Sequence, residues 1–235
     1  QGELTLDESF KLYNQGLKII KDCNQQIETI EKQIKIINEE GEKAIGKPIG
    51  TYVTVDIKNL RLADDDEIEN ASNIISEELA SIVDEKIGKQ DEILVVGLGN
   101  QFVTPDALGP KVSQEIEVTR HLLKYAPECV IKGARSVCTI APGVLGTTGI
   151  ETLEIIKGVV DNVKPKLIIV IDSLASKSIE RISSTIQLSD TGIVPGAGVG
   201  NKRSEISQST LGIPVIAIGI PTVVETAVLV NDCLN

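Results

Sequence analysis

Two aspartates that follow short apolar runs are the residues best placed for chemistry. Asp172 ends the run Leu167-Ile-Ile-Val-Ile-Asp172, and Asp106 lies in a loop after the run Ile93-Leu-Val-Val-Gly-Leu-Gly-Asn100. If both runs are strands of one parallel sheet, their carboxyl ends meet at the edge where ligands of open α/β sheets bind. Burial and mutual repulsion would then separate the pKa values of the two carboxyl groups, so that one acts as an acid and the other as a base on a water molecule. The structural alternatives are a helix N-cap for Asp106 and a strand-end turn or cap for Asp172.

The turn that precedes Asp106 is a second candidate region. Glycine lets the backbone approach a ligand closely, so Gly97, Gly99 and Asn100 are candidate substrate-binding or oxyanion-stabilising residues. A nucleotide site is not favoured, because Phe102 stands where a dinucleotide fingerprint needs its third glycine. The segment Gly196 to Arg203 does not match a P-loop either.

The run from Gly146 to Thr152 has two interpretations. Its loop amides and the side chains of Thr147, Thr148 and Glu151 are candidates for cradling an oxyanion. Alternatively, the run turns the chain into a helix that is capped by Thr148, and capping is the favoured interpretation. In either case Glu151 would lie near the start of a helix.

The composition indicates which kinds of partner and which cellular compartment are to be expected. The 235 residues are 41 % hydrophobic and 24 % charged and carry a formal net charge of -11, so we expect neither nucleic acid nor an anionic membrane as a direct partner. No apolar run is long enough to span a membrane, and no leader is evident, which favours a cytoplasmic protein. The four cysteines show no CxxC spacing and there is one histidine, so we expect reduced thiols and neither a metal nor another cofactor. Because the chain begins at Gln1 and contains no Met, we expect it to be processed, trimmed or engineered.

Hydrophobic patterning predicts an α/β fold with a mostly parallel sheet flanked by helices on both faces. A smaller N-terminal α+β part is predicted over residues 1–90, packed on an α/β catalytic domain over residues 91–235. The predicted strands are 33–37, 51–57, 93–98, 136–140, 167–171 and 215–220. The predicted helices are one around Leu12 to Ile20, one after the acidic run Asp64 to Glu67, and 108–124, 149–160, 176–184 and 221–232, the last beginning at Pro221.

Ten segments together resemble the germination proteases of spore-forming bacteria and run in the order of that family. They include Val96-Gly-Leu-Gly-Asn100, Val103-Thr-Pro-Asp-Ala-Leu-Gly-Pro110, Val118-Thr-Arg-His-Leu122, Ile140-Ala-Pro-Gly-Val144, Gly146-Thr-Thr-Gly-Ile-Glu-Thr152, Ile171-Asp-Ser-Leu-Ala175, Gly198-Val-Gly-Asn-Lys-Arg203 and Gly212-Ile-Pro-Val-Ile-Ala-Ile-Gly-Ile-Pro-Thr222.

The resemblance implies an atypical aspartic endopeptidase that degrades small acid-soluble spore proteins during germination, in the cytoplasm of the spore core. It also implies a zymogen activated by removal of an N-terminal segment, a homotetramer, and Asp106 and Asp172 as the catalytic pair. Family members continue beyond the last shared segment, so we expect a C-terminal region to be missing after Asn235.

Two alternatives stay open at this stage. The implied fold is similar to that of hydrogenase-maturation endopeptidases, whose carboxylates meet a metal, so a metal-dependent endopeptidase is one. A latent zymogen or binding form without activity is the other.

Overall fold

The computed structural model of the protein describes Gln15 and residues 30–58, 60–200 and 203–224. Across these three ranges the chain forms seven strands and seven helices, joined in places by single 3₁₀ turns. The strands are β1 (Ile30–Ile37), β2 (Gly50–Ile57), β3 (Ile93–Gly97), β4 (Val137–Ile140), β5 (Leu167–Ser176), β6 (Thr185–Ser189) and β7 (Val215–Val224). The helices are α1 (Glu39–Ile45), α2 (Asp65–Lys86), α3 (Leu108–Glu115), α4 (Arg120–Tyr125), α5 (Leu145–Thr148), α6 (Thr152–Val163) and α7 (Gln208–Leu211).

The described strands form one sheet in the order β1-β2-β6-β7-β5-β3-β4. Strands β7, β5, β3 and β4 are mutually parallel, whereas β1, β2 and β6 are antiparallel to their neighbours. The predicted α/β class with a parallel core is therefore confirmed. The two N-terminal strands continue this same sheet through the pairing of β2 with β6, and the division of the chain at residue 90 stays a prediction.

The central strands are apolar at consecutive positions because the sheet is covered on both faces. In β5, Ile169 and Ile171 pack in the core beneath α2 and α3, while Ile168 and Val170 pack in the core beneath α6. Residues of β3 alternate between the same two cores. The prediction of helices on both faces is thus confirmed.

The acidic run begins a helix, as predicted. Asp64 is the N-cap of α2, where its side chain accepts from the Glu67 N–H and the Glu67 side chain accepts from the Asp64 N–H. This reciprocal arrangement satisfies two backbone donors at a helix end that also favours negative charge. Ala71, Ile82 and Val83 bury the apolar face of α2 against the sheet.

Two predicted helices differ from the structure because side-chain hydroxyls bond to the backbone instead. The stretch 108–124 is divided into α3 and α4: the backbone becomes extended at Ile116, and Thr119, which directly precedes α4, has an Oγ1 that accepts from the Val137 N–H at 2.9 Å. The stretch 176–184 contains a single 3₁₀ turn, and Ser176 ends β5 with its Oγ accepting from the Ser178 N–H.

The last predicted helix is wrong at its start. Strand β7 continues through Pro221 to Val224, pairing with the extended C-terminal half of β5. Proline is tolerated there because the β5 register shifts between Leu174 and Ala175, next to the partner of Pro221. The remainder of that prediction, 225–232, and the predicted helix around Leu12 to Ile20 apart from Gln15 lie outside the described residues.

Candidate active site

Asp106 is held by a short turn at the carboxyl end of β3. The Asn100 N–H donates to Asp106 Oδ2 at 2.8 Å, and the Asp106 N–H donates to the Val103 carbonyl at 2.8 Å. Gly99 makes this turn possible, because it has φ of +115° and a Cβ there would lie 2.0 Å from the Asp106 carbonyl oxygen. From the opposite side, Thr222 Oγ1 donates to the Pro105 carbonyl at 2.6 Å and so ties β7 to the loop.

Asp172 projects from the middle of β5 and is 6 % exposed. The sequence places it at the end of a strand, but β5 runs on to Ser176 because β7 pairs with it beyond Asp172. The Ser173 N–H donates to Asp172 Oδ1 at 2.8 Å. A carboxyl group with one backbone donor and little solvent is poorly compensated when it ionises.

Burial and local hydrogen bonds shift the pKa of both carboxyl groups. Burial raises the pKa of Asp172 to about 7, the Ser173 N–H opposes that shift, and the neighbouring Asp106 carboxylate adds to it. Burial also raises the pKa of Asp106 above its ordinary value, while the Asn100 N–H opposes the increase. Near neutral pH the pair therefore contains one group that can donate a proton and one that can accept it.

Both aspartates line one cleft of about 450 Å³. Its wall includes Gly99, Asn100 and Glu151 from the predicted set, together with residues of β5 and β7, of the segments that follow β3 and β4, and of the loop before α7. The cleft lies at the carboxyl edge of the parallel strands, as the position of ligand sites in open α/β sheets predicts.

The remaining predicted residues lie around the cleft. Gly97 is buried beneath it, where a Cβ would lie 2.1 Å from the Gly109 carbonyl oxygen, so this glycine permits close packing of β3 against α3. Thr147 lines a smaller neighbouring pocket. Thr148 is exposed and does not cap α6: it ends α5, where its hydroxyl donates to the Val144 carbonyl, and Glu151 occupies the N-cap position of α6 instead.

Three residues of the site were not among the sequence candidates. Arg203 lines the cleft and pairs with Glu151 at 3.7 Å, Ser173 lines it beside Asp172, and Thr222 braces the Asp106 loop. Thr222 comes just after an apolar run of the sequence, as the two aspartates do, so the same strand-end rule would have found it. Arg203 comes from a loop, and no pattern in the sequence relates that loop to β5.

Two further tests concern metal binding and membranes. Within the described ranges, no group of three or more histidine, cysteine, aspartate or glutamate side chains is arranged to hold a metal ion. None of the described helices combines the length and the apolar character needed to cross a membrane.

Comparison with known proteins identifies close relatives. The model of the family described as Germination protease matches residues 5–235. The chain is 51 % identical over 213 residues to the germination protease of Clostridium acetobutylicum, covering 90 % of this chain and 65 % of the relative. It is 53 % identical over 205 residues to that of Caldanaerobacter subterraneus (86 % and 62 % covered) and 48 % identical over 225 residues to that of Bacillus cytotoxicus (94 % and 61 % covered). The chain thus spans slightly less than two thirds of the length of these relatives.

Proposed function

The chain belongs to the germination protease family, and from that premise we propose that it is an endopeptidase that hydrolyses protein substrates during spore germination through Asp106 and Asp172. The observation that carries the proposal is the convergence of these two aspartates in one cleft, with a raised pKa for each. Peptide hydrolysis needs a base to activate water and an acid to protonate the carbonyl oxygen, and a carboxyl pair of this kind supplies both.

Asp106 is the base in this proposal. It is less buried than Asp172, and the Asn100 N–H stabilises its ionised form. Asp106 accepts a proton from the attacking water while the protonated Asp172 donates its proton to the carbonyl oxygen of the scissile bond. The tetrahedral intermediate then collapses: Asp106 passes its proton to the leaving nitrogen, and Asp172 recovers a proton from the intermediate's hydroxyl group. Each turnover returns both carboxyl groups to their starting states.

The substrate proposed here is the class of small acid-soluble spore proteins, in the cytoplasm of the spore core, on the strength of the family resemblance. The net charge of -11 fits an enzyme that acts on protein without gripping DNA phosphates. Synthesis as a zymogen, assembly as a homotetramer and residues 91–235 as the catalytic part belong to the same proposal.

The proposal is tested by digesting a purified small acid-soluble spore protein and reading the products by mass spectrometry. Four forms of the chain are compared, each with and without a chelator: wild type, Asp106→Asn, Asp172→Asn, and the exposed-surface control Asp161→Asn. We expect discrete cuts with the wild type and the control, no cuts with either cleft variant, and no effect of chelator.

Each other outcome has a distinct meaning. Cuts that persist in both cleft variants would remove the aspartate pair from the mechanism. Cuts that disappear with chelator would favour a metal-dependent endopeptidase. A folded wild-type chain that makes no cuts would be the latent or binding form.

A further inference from the structure

An exposed apolar cluster lies on the loop that carries Asp106. Phe102 is 82 % exposed and Val103 is 44 % exposed, although the chain contains only two phenylalanines. An aromatic ring that remains in water forfeits the free energy that its burial would provide. Because the ring contributes little to the folded core, a contact made on binding would explain its position.

A small pocket beside Phe102 adjoins the cleft. Its volume is about 100 Å³, and its wall includes Phe102, Pro110, Ala141 and Thr147. It shares Gly99, Asn100 and Gly143 with the wall of the larger cleft. A chain that lies across these shared residues would have one side chain in the pocket and its backbone near the aspartates.

The loop fixes Phe102 relative to Asp106. The Phe102 N–H donates to Asn100 Oδ1 at 3.0 Å, and the Val103 N–H donates to the Asn100 carbonyl at 3.0 Å. Asn100 in turn donates its N–H to Asp106 Oδ2. The position of the ring is therefore coupled to that of a reacting group through Asn100, as a specificity subsite requires.

We propose that Phe102 and its adjoining pocket bind a bulky apolar side chain of the peptide substrate close to the bond that is cut. This proposal rests on the proposed function, because a peptide substrate is expected in the pocket only if the protein is a peptidase. It is favoured over contact with a second copy of the chain because the pocket shares Gly99, Asn100 and Gly143 with the wall of the cleft that holds both aspartates.

The test is a double-mutant cycle on peptide binding, which does not depend on cleavage. Two unstructured 12-residue peptides that differ only by Leu or Ala at one central position are titrated against Asp172→Asn, with Phe102 intact or changed to Ala. With Phe102 intact, the Leu peptide is expected to bind roughly tenfold more tightly than the Ala peptide. The preference should fall to less than about twofold in Phe102→Ala and persist in Phe102→Leu.

The matched control is Tyr125→Ala, which removes another exposed aromatic ring (76 %) from α4, outside the cleft wall. This variant should retain the full preference. The proposal would be overturned if Phe102→Ala preferred the Leu peptide over the Ala peptide as strongly as the protein with Phe102 intact does. It would also be overturned if neither peptide bound when Phe102 is intact. A change in assembly mass on sedimentation in Phe102→Ala without a change in peptide preference would overturn it as well, since Phe102 would then contact another copy.

Failure here is separable from failure of the proposed function. If cleavage requires both aspartates but the preference for the Leu peptide does not depend on Phe102, the subsite alone is refuted. If the preference for the Leu peptide depends on Phe102 but the wild type cuts no substrate, the subsite is supported and the peptidase activity is refuted.

Discussion

Replacing Asp172 by asparagine should stabilise the protein, and increasingly so as the pH rises. Asparagine keeps an Oδ1 that accepts from the Ser173 N–H, but it cannot ionise. The pKa of Asp172 is raised from 3.8 to about 7 in the folded protein. Below the lower value the carboxyl group is protonated in both states and carries no penalty. Between the two values the unfolded chain releases the proton that the folded chain retains, so wild-type stability falls as pH rises.

The size of the effect follows from the shift. One pKa unit corresponds to about 1.4 kcal/mol, so a change from 3.8 to about 7 destabilises the wild type by about 4 kcal/mol once the pH exceeds the folded value. Because 94 % of the residue's surface is covered, solvent screening removes little of this penalty. The penalty is a large part of the free energy of unfolding of an ordinary domain.

The assay is urea unfolding of wild type and Asp172→Asn at pH values from 4 to 8. The difference in the free energy of unfolding between the two proteins should grow by about 4 kcal/mol over that range. Other ionisable groups titrate in both proteins and largely cancel in the difference. The exposed-surface substitution Asp161→Asn is the matched control for exchanging an aspartate for an asparagine. A constant difference for Asp172→Asn would show that Asp172 ionises as freely in the folded state as in the unfolded chain, and would refute the assigned roles.

Two further predictions concern turnover and the loop. If Asp172 is the acid, as proposed, the rate constant kcat/KM for peptide cleavage should decline as pH rises through about 7, where Asp172 loses its proton. A rate that is flat from pH 6 to 9 would remove Asp172 as the acid. Gly99→Ala should abolish cleavage, since its Cβ would lie 2.0 Å from the Asp106 carbonyl oxygen, whereas Gly133→Ala, at a φ of +90° in open space, carries the same backbone strain without the clash. Equal activities of these two variants would show that the turn tolerates a side chain.

The sequence predicts those parts of the fold that depend on local pattern. Strands β3 and β5 are recognisable because each is apolar on both faces, and α2 is recognisable from the acidic run Asp64 to Glu67 that precedes apolar residues at helical spacing. Asp106 and Asp172 are found because the carboxyl ends of parallel strands share an edge. The two aspartates lie in the same cleft because of this topological rule, which can be applied to a single sequence.

The parts that were missed depend on contacts between distant segments. The continuation of β7 through Pro221 results from pairing with β5, which overrides the local preference of proline for a helix start. Phe102 seemed in the sequence only to break a glycine fingerprint, and its exposure beside a pocket follows from the turn around Asn100. Local propensity cannot predict the continuation of β7 or the exposure of Phe102 beside a pocket, because each depends on contacts between residues that are distant in the chain.

Burial is the main cause of the raised pKa of Asp172, and the neighbouring carboxylate charge in the cleft acts in the same direction. Among the described residues of the cleft wall, Arg203 is the one cation, and its guanidinium pairs with Glu151. An arginine beside Asp172 would stabilise the carboxylate and lower its pKa, as opposite charges generally do, and the acid would be lost at neutral pH. The neighbouring charge that acts on Asp172 is instead the like charge of Asp106, which raises the pKa in the same direction as burial. The pairing of Arg203 with Glu151 is therefore compatible with the raised pKa of Asp172.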